Sequence, residues 1–159
     1  MKWYKRDVNE SRKPHVFELY HRHGFQGMFF WSRLNDLLAE CFNFWCPGCY
    51  KFKPSIFYAF FQPQIKDPRT IKKMLSFLNS DKILTVSIGE RELYLYYPDI
   101  IERAAEYTTR RLRRAEERGE EQPETARDIA FCCAEMQSYN ASDVHRYAGD
   151  SIENKRVKH

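Results

Sequence analysis

Between Asp67 and Tyr97 the spacing of apolar residues changes from a helical to an extended period, and that change restricts the fold more than any other feature of the chain. Ile71, Met74, Leu75 and Leu78 fall at i, i+3, i+4 and i+7, the stripe of a helix buried along one side. Asp67-Pro68 supplies an N-cap and a proline at the first helical position. Two runs of period two follow, Ile83–Ile88 and Arg91–Tyr97, separated by Gly89-Glu90. Glycine first in a two-residue loop suits a type II′ turn. That register sets Val86 against Leu93 and Leu84 against Leu95, both pairs on one face. An amphipathic helix is thus followed at once by a hairpin with a single apolar face, and each must cover the other.

The remaining elements are mostly helical. Ser11 to His23 reads as a helix with Val16, Leu19, Tyr20 and His23 on one side and Gly24 as its stop. Gln26 to Phe42 reads as a longer one, with Trp31, Leu34, Leu38 and Cys41 at core spacing. Asn43–Lys53 contains Pro47-Gly48 and is expected to be a loop ending in a short strand at Tyr50–Lys53. Pro54 to Phe61 is a short apolar helix stopped by Gln62-Pro63. With Pro63–Pro68 as the turn and Arg69–Ser80 as the recognition helix, the expected fold is α+β, mainly helical. It is a winged helix-turn-helix with a β-hairpin wing and extra N- and C-terminal helices.

Length favours one domain with appendages over two full domains. Residues 1–97 hold the winged-helix domain with its N-terminal helix pair. Residues 98–118 form a basic exit helix in which Ile100, Ile101, Ala104, Ala105, Thr108 and Leu112 give way to arginines. After the polar break Gly119–Pro123, residues 119–159 form an acidic tail. Its Ile129, Phe131, Met136 and Tyr139 are too few for a core of their own, so the tail is expected to be mobile or docked on a partner. No apolar run is long enough to span a bilayer, so no membrane partner is expected. Met1-Lys2-Trp3-Tyr4 lacks the apolar core of a signal peptide. A cytoplasmic location with five reduced cysteines is expected.

The net charge of +4 is unevenly spread. Residues 1–97 hold 15 Lys/Arg against 9 Asp/Glu, whereas residues 119–159 hold 5 against 8. A basic body favours an anionic partner. Lys66, Arg69, Lys72 and Lys73 cluster at the start of the recognition helix, away from its apolar stripe, where they suit phosphates and guanine edges. Arg91 stands at the wing tip, suited to a minor groove. Arg110, Arg111, Arg113 and Arg114 form the densest cluster, and four phosphate contacts would give a salt slope of about −3.6. These nine residues are the expected DNA-binding site. The competing reading is that Lys72 and Lys73 merely solvate a helix face while Arg110–Arg114 pair with Glu106, Glu116 and Glu117. The chain would then be a non-catalytic interaction or oligomerisation module on the same fold. The observation that separates the two is whether the nine cations converge on one exposed face.

Trp45-Cys46-Pro47-Gly48-Cys49 is the one motif with a chemical flavour. A thiol oxidoreductase would need a strand leading into it and a helix starting from it, but a long helix precedes it here. C-x-x-C is also half of a zinc site, but Cys41 lies five residues upstream and Cys132-Cys133 lie in the tail. The plain reading is a Pro-Gly turn with passive thiols, and no metal or cofactor is assigned. His21 and His23, two apart, point in different directions on a helix. No catalytic dyad, nucleophile elbow or phosphate loop is visible, and an enzyme is not expected.

The opening Trp3-Tyr4-Lys5-Arg6-Asp7 and the later His23-Gly24-Phe25-Gln26-Gly27 resemble the N-terminal winged-helix domain of phage replisome-organiser and DnaD-like primosomal proteins. In that family a W/Y-x-x-D start precedes a helix ending in G-x-x-G. A winged helix and an arginine-rich exit helix then follow, here Tyr97-Pro98 through Arg114. The similarity covers about residues 1–115. It implies DNA binding and self-association into a homo-oligomer during replication initiation, with other replication proteins as partners. The chain departs from the pattern at Cys46-Pro47-Gly48-Cys49 and lacks the second helical domain of full-length members, so direct helicase loading is not expected.

Overall fold

The computed structural model describes residues 12–153, with side chains through Ser138. The Trp3–Asp7 motif and the side chain of Tyr139 lie outside the described residues. The elements run α1 (Pro14–His23), α2 (Phe25–Glu40), β1 (Cys49–Phe52), α3 (Pro54–Phe61), α4 (Pro68–Ser80), β2 (Thr85–Ile88), β3 (Leu93–Tyr96), α5 (Asp99–Glu117) and α6 (Glu124–Glu153). The architecture is α+β and mainly helical, with a three-stranded antiparallel sheet ordered β1-β3-β2.

Proline punctuates the helix starts: Pro14, Pro54 and Pro68 each open a helix, where a missing N–H costs nothing. Asp67 caps α4 by accepting from the Arg69 N–H at 3.0 Å. The same helix ends in a Schellman motif. Lys82 adopts φ +58°, its N–H reaches the Asn79 carbonyl, and the Ile83 N–H reaches the Leu78 carbonyl. Between its ends α4 buries Ile71, Met74, Leu75 and Leu78 completely. At about 1.5–3 kcal/mol each, these four side chains fix which side of α4 faces water.

The core they join holds Phe30, Trp31, Leu34 and Leu38 of α2, Phe57 and Phe61 of α3, and Tyr50, Leu93 and Leu95 on the inner face of the sheet. Two expected core positions are exposed instead, Cys41 and Tyr20. Cys41 is already the C-cap of α2, beyond the last buried turn.

The hairpin register differs from the expected one. Val86 pairs with Leu95 and Ile88 with Leu93, a slip of two residues that leaves the facing of every side chain unchanged. Ile83 and Leu84 are drawn back by hydrogen bonds to the Leu78 carbonyl, so β2 starts only at Thr85. The Gly89 N–H bonds the Glu92 carbonyl at 2.8 Å, which places Glu90 and Arg91 at the centre of the turn. Neither Gly89 nor its neighbours has positive φ, so the turn is not the type II′ turn expected.

The outer face of the sheet carries Cys49, Lys51, Tyr94 and Tyr96, because residues on it alternate with Tyr50, Leu93 and Leu95. Helix α6 lies over this face and touches all three strands, with Ala126 and Cys133 fully buried. The region expected to be mobile or partner-docked thus continues as a helix packed on the chain's own sheet. Its few apolar residues cannot make a core alone, but they suffice to cover a half-apolar sheet face.

Candidate nucleic-acid interface

With its apolar stripe facing inward, α4 must present Arg69, Lys72, Lys73 and Ser76 to solvent, and all four are exposed. Lys66, just before the cap, is exposed beside them. Tyr58 of α3 lies under Lys72, its ring centre 5.8 Å from Nζ, which steadies that side chain against the body. Lys73 stands close to His23 at the end of α1. Burial, and then the charges of Arg22 and Lys73, hold His23 below its ordinary pKa, so neutral imidazole is favoured there. Lys66, Arg69 and Lys73 form no side-chain ion pair with another described residue, so their charge is available.

Two further cations flank this surface and were not expected from the sequence. The Arg22 guanidinium lies 4.7 Å over the Phe77 ring of α4, and its Nε bonds Glu18 at 2.6 Å. Arg33 of α2 lies 4.1 Å over Phe60 of α3. Each joins a cation to an aromatic ring from a distant helix, a pairing that leaves no local spacing signal.

Arg91 is exposed at the centre of the β2–β3 turn. Its neighbour Glu92 is engaged elsewhere, accepting from Lys51 at 2.5 Å and from the Tyr94 hydroxyl at 2.8 Å. The Glu92 and Tyr94 hydrogen bonds push the Lys51 pKa up to about 12.

The arginines of α5 are placed otherwise. Arg110 pairs with Glu106 at 2.7 Å and Arg113 with Glu117 at 3.6 Å, each one helical turn away. Arg111 folds over Phe44 at 5.0 Å, and Arg114 is exposed without an ion pair to a described residue. Pairs of this kind are worth about 0.3–0.5 kcal/mol, so a phosphate could displace them. Position matters more. Tyr107 packs on Phe42 and Arg111 on Phe44, which puts the arginine cluster beyond the C-terminal end of α2. The approach to α4 lies at the opposite end, where Gln26 donates to the Gln64 carbonyl. Helix α2 has 16 residues and is about 24 Å long. Lys66, Arg69, Lys72 and Lys73 therefore form one patch, Arg110, Arg111, Arg113 and Arg114 form another about a helix length away, and the nine cations do not converge on one face.

A third surface is apolar. At the α1–α2 corner Phe17 is 65% and Phe25 79% exposed, with Tyr20 and Met28 beside them and the Tyr20 and Phe25 rings 5.8 Å apart. The corner is built by the His23–Gly27 motif: Gly24 turns the chain with φ +59°, and Gly27 lets α2 meet the Leu19 backbone.

Cys46-Pro47-Gly48-Cys49 is a β-turn, closed by the Cys49 N–H on the Cys46 carbonyl at 3.1 Å. Proline second and glycine third with φ +78° are the marks of type II. The turn leads into β1, so no helix begins at the motif. Among the described residues no three His, Cys, Asp or Glu side chains are arranged to hold a metal ion, and no helix is long and apolar enough to cross a membrane. A shallow cleft of 340 Å³ lined by Lys13, His15, Lys82, Tyr97 and Asp99 is occupied at its charged end by the Lys13–Asp99 pair. No protein-family model matches the chain, and comparison with curated proteins and with solved structures finds no match.

Proposed function

We propose that the chain binds DNA through the exposed face of α4, on a winged-helix framework, in replication initiation of the phage or plasmid type. The observation that carries this reading is the patch of Lys66, Arg69, Lys72 and Lys73, exposed together on a helix whose other side is locked into the core. Each cation that meets a phosphate releases a condensed counterion, and Arg69 is the side chain suited to a guanine edge. The winged-helix framework is supported by the element order α2, β1, α3, α4, β2, β3 and by the sheet order β1-β3-β2. In that reading α3 and α4 are the helix pair and the β2–β3 hairpin is the wing, with Arg91 at its tip. The replication setting rests on the resemblance of Trp3–Asp7 and His23–Gly27 to replisome organisers.

Fluorescence anisotropy of a labelled duplex over a salt series tests this. Four phosphate contacts from the α4 patch predict a log–log slope of about −3.6, rising to about −7 if the four arginines of α5 also engage. Absence of binding at low salt, to duplex and to single strand alike, would overturn the DNA reading.

The exposed corner of Phe17, Tyr20, Phe25 and Met28 favours a second reading, an interaction module that associates with itself or with another replication protein. Four neighbouring apolar side chains rimmed by His21 and Arg22 have the make-up of a contact surface. If DNA is not bound, this corner becomes the working surface of the chain.

A further inference from the structure

The outer face of the sheet brings together cysteines that lie far apart in the sequence. Cys49 opens β1 opposite Tyr96. Cys133, on α6, is fully buried against the same face, its sulfur 3.8 Å from the carbonyl of Leu95, the residue in register with Tyr50. That thiol donates to the Leu95 carbonyl, and Tyr50 directly follows Cys49, so Cys133 stands over the strand end that carries Cys49 on the same face. Cys46 is buried one turn away, across the Pro47-Gly48 corner.

We propose that Cys49 and Cys133 are a redox-sensitive pair whose oxidation to a disulfide fastens α6 to β1. Burial pushes Cys46 up to about 11, which leaves it a poor nucleophile. Either thiol of the pair can react first, and the other resolves it to the same disulfide.

With hydrogen peroxide as oxidant, the thiolate of one of the two attacks one peroxide oxygen. An S–O bond forms, the O–O bond breaks, and the departing hydroxide takes up a proton as water. The other sulfur then attacks that sulfenic acid: the S–S bond forms, the S–O bond breaks, and hydroxide leaves with the attacking thiol's proton as a second water. Two thiols lose two electrons, and one peroxide becomes two waters. Because Cys133 is covered, the rate is governed by lifting of α6 from the sheet, a local opening.

The test is made on the full chain, fully reduced and then exposed to hydrogen peroxide. Remaining thiols are alkylated and the digest is read by tandem mass spectrometry. The expected product is a cross-linked peptide pair joining Cys49 to Cys133, 2 Da lighter than the free thiols, with Cys41, Cys46 and Cys132 alkylated. The cross-link closes a long loop and raises the Tm by about 5–10 °C, reversibly with dithiothreitol. Cys46→Ser and Cys132→Ser retain it and Cys49→Ser abolishes it. A disulfide confined to Cys46 and Cys49, a bond to Cys132, or oxidation without any cross-link in the folded chain would each overturn the proposal.

Discussion

A Cβ at Gly27 would lie 2.2 Å from the Leu19 carbonyl oxygen, and that oxygen belongs to helix backbone that cannot step aside. Gly27→Ala should therefore push α1 off α2 and cost about 2–3 kcal/mol, a fall in Tm of about 5–10 °C in a thermal melt. An unchanged Tm would show that the two helices do not meet so closely. Lys82 is the opposite case. It holds φ +58° after α4, where glycine is the usual occupant because it has no Cβ to crowd the carbonyl. Lys82→Gly should raise stability by about 0.5–1 kcal/mol, measured by chemical denaturation. Gly24 was legible in the sequence as a helix stop. Gly27 and Lys82 were not: one depends on a helix crossing and the other on a capping bond, and neither leaves a pattern along the chain.

The elements themselves were largely legible, because period, proline and glycine act locally. Helices α3 and α4 begin and end where the sequence places them, within a residue. The hairpin was placed correctly but registered two residues away, because the cap of α4 takes up Ile83 and Leu84 before the strand begins. No reading of alternation alone separates two registers of the same parity. Helix α5 is tied at its start by Asp99, which accepts from Lys13 at 3.1 Å and from the Tyr97 hydroxyl at 3.0 Å and pairs with Arg103. Burial pulls the Asp99 pKa up, but the Lys13 hydrogen bond, the Arg103 charge and the Tyr97 hydroxyl together take it below its ordinary value. A carboxylate lowered in the folded state stabilises above its unfolded pKa of about 3.9, and that stabilisation is lost as pH falls through the folded value. Asp99→Asn should remove this acid-limb dependence from melts recorded between pH 2.5 and 7. Because Asp99 is partly exposed, the cost at pH 7 should be about 1 kcal/mol. An acid limb identical in the variant and the parent would remove Asp99 from it.

On the scale of the whole molecule, α2 is the ruler. At one end it meets the loop leading into α4, with a patch of four cations. At the other it meets α5, where Arg110 and Arg113 are paired along their own helix, Arg111 is laid on Phe44 and Arg114 is exposed. Sequence placed both clusters on helices but had no means of measuring the distance between them, since that is set by which end of α2 each element packs against. Nor could it reveal that α6 covers the outer face of the sheet, because Cys133 gains its place only from the Leu95 carbonyl beneath it. The surface left open is the outward side of α4, and the DNA reading depends on it. The most direct test is the affinity of Lys72→Glu/Lys73→Glu for a labelled duplex, measured beside the parent at one salt concentration, with circular dichroism confirming the fold. A loss of affinity of at least tenfold in a folded variant is expected from reversing two phosphate-facing charges. Equal affinity would contradict the assignment of α4 as the DNA-contacting helix.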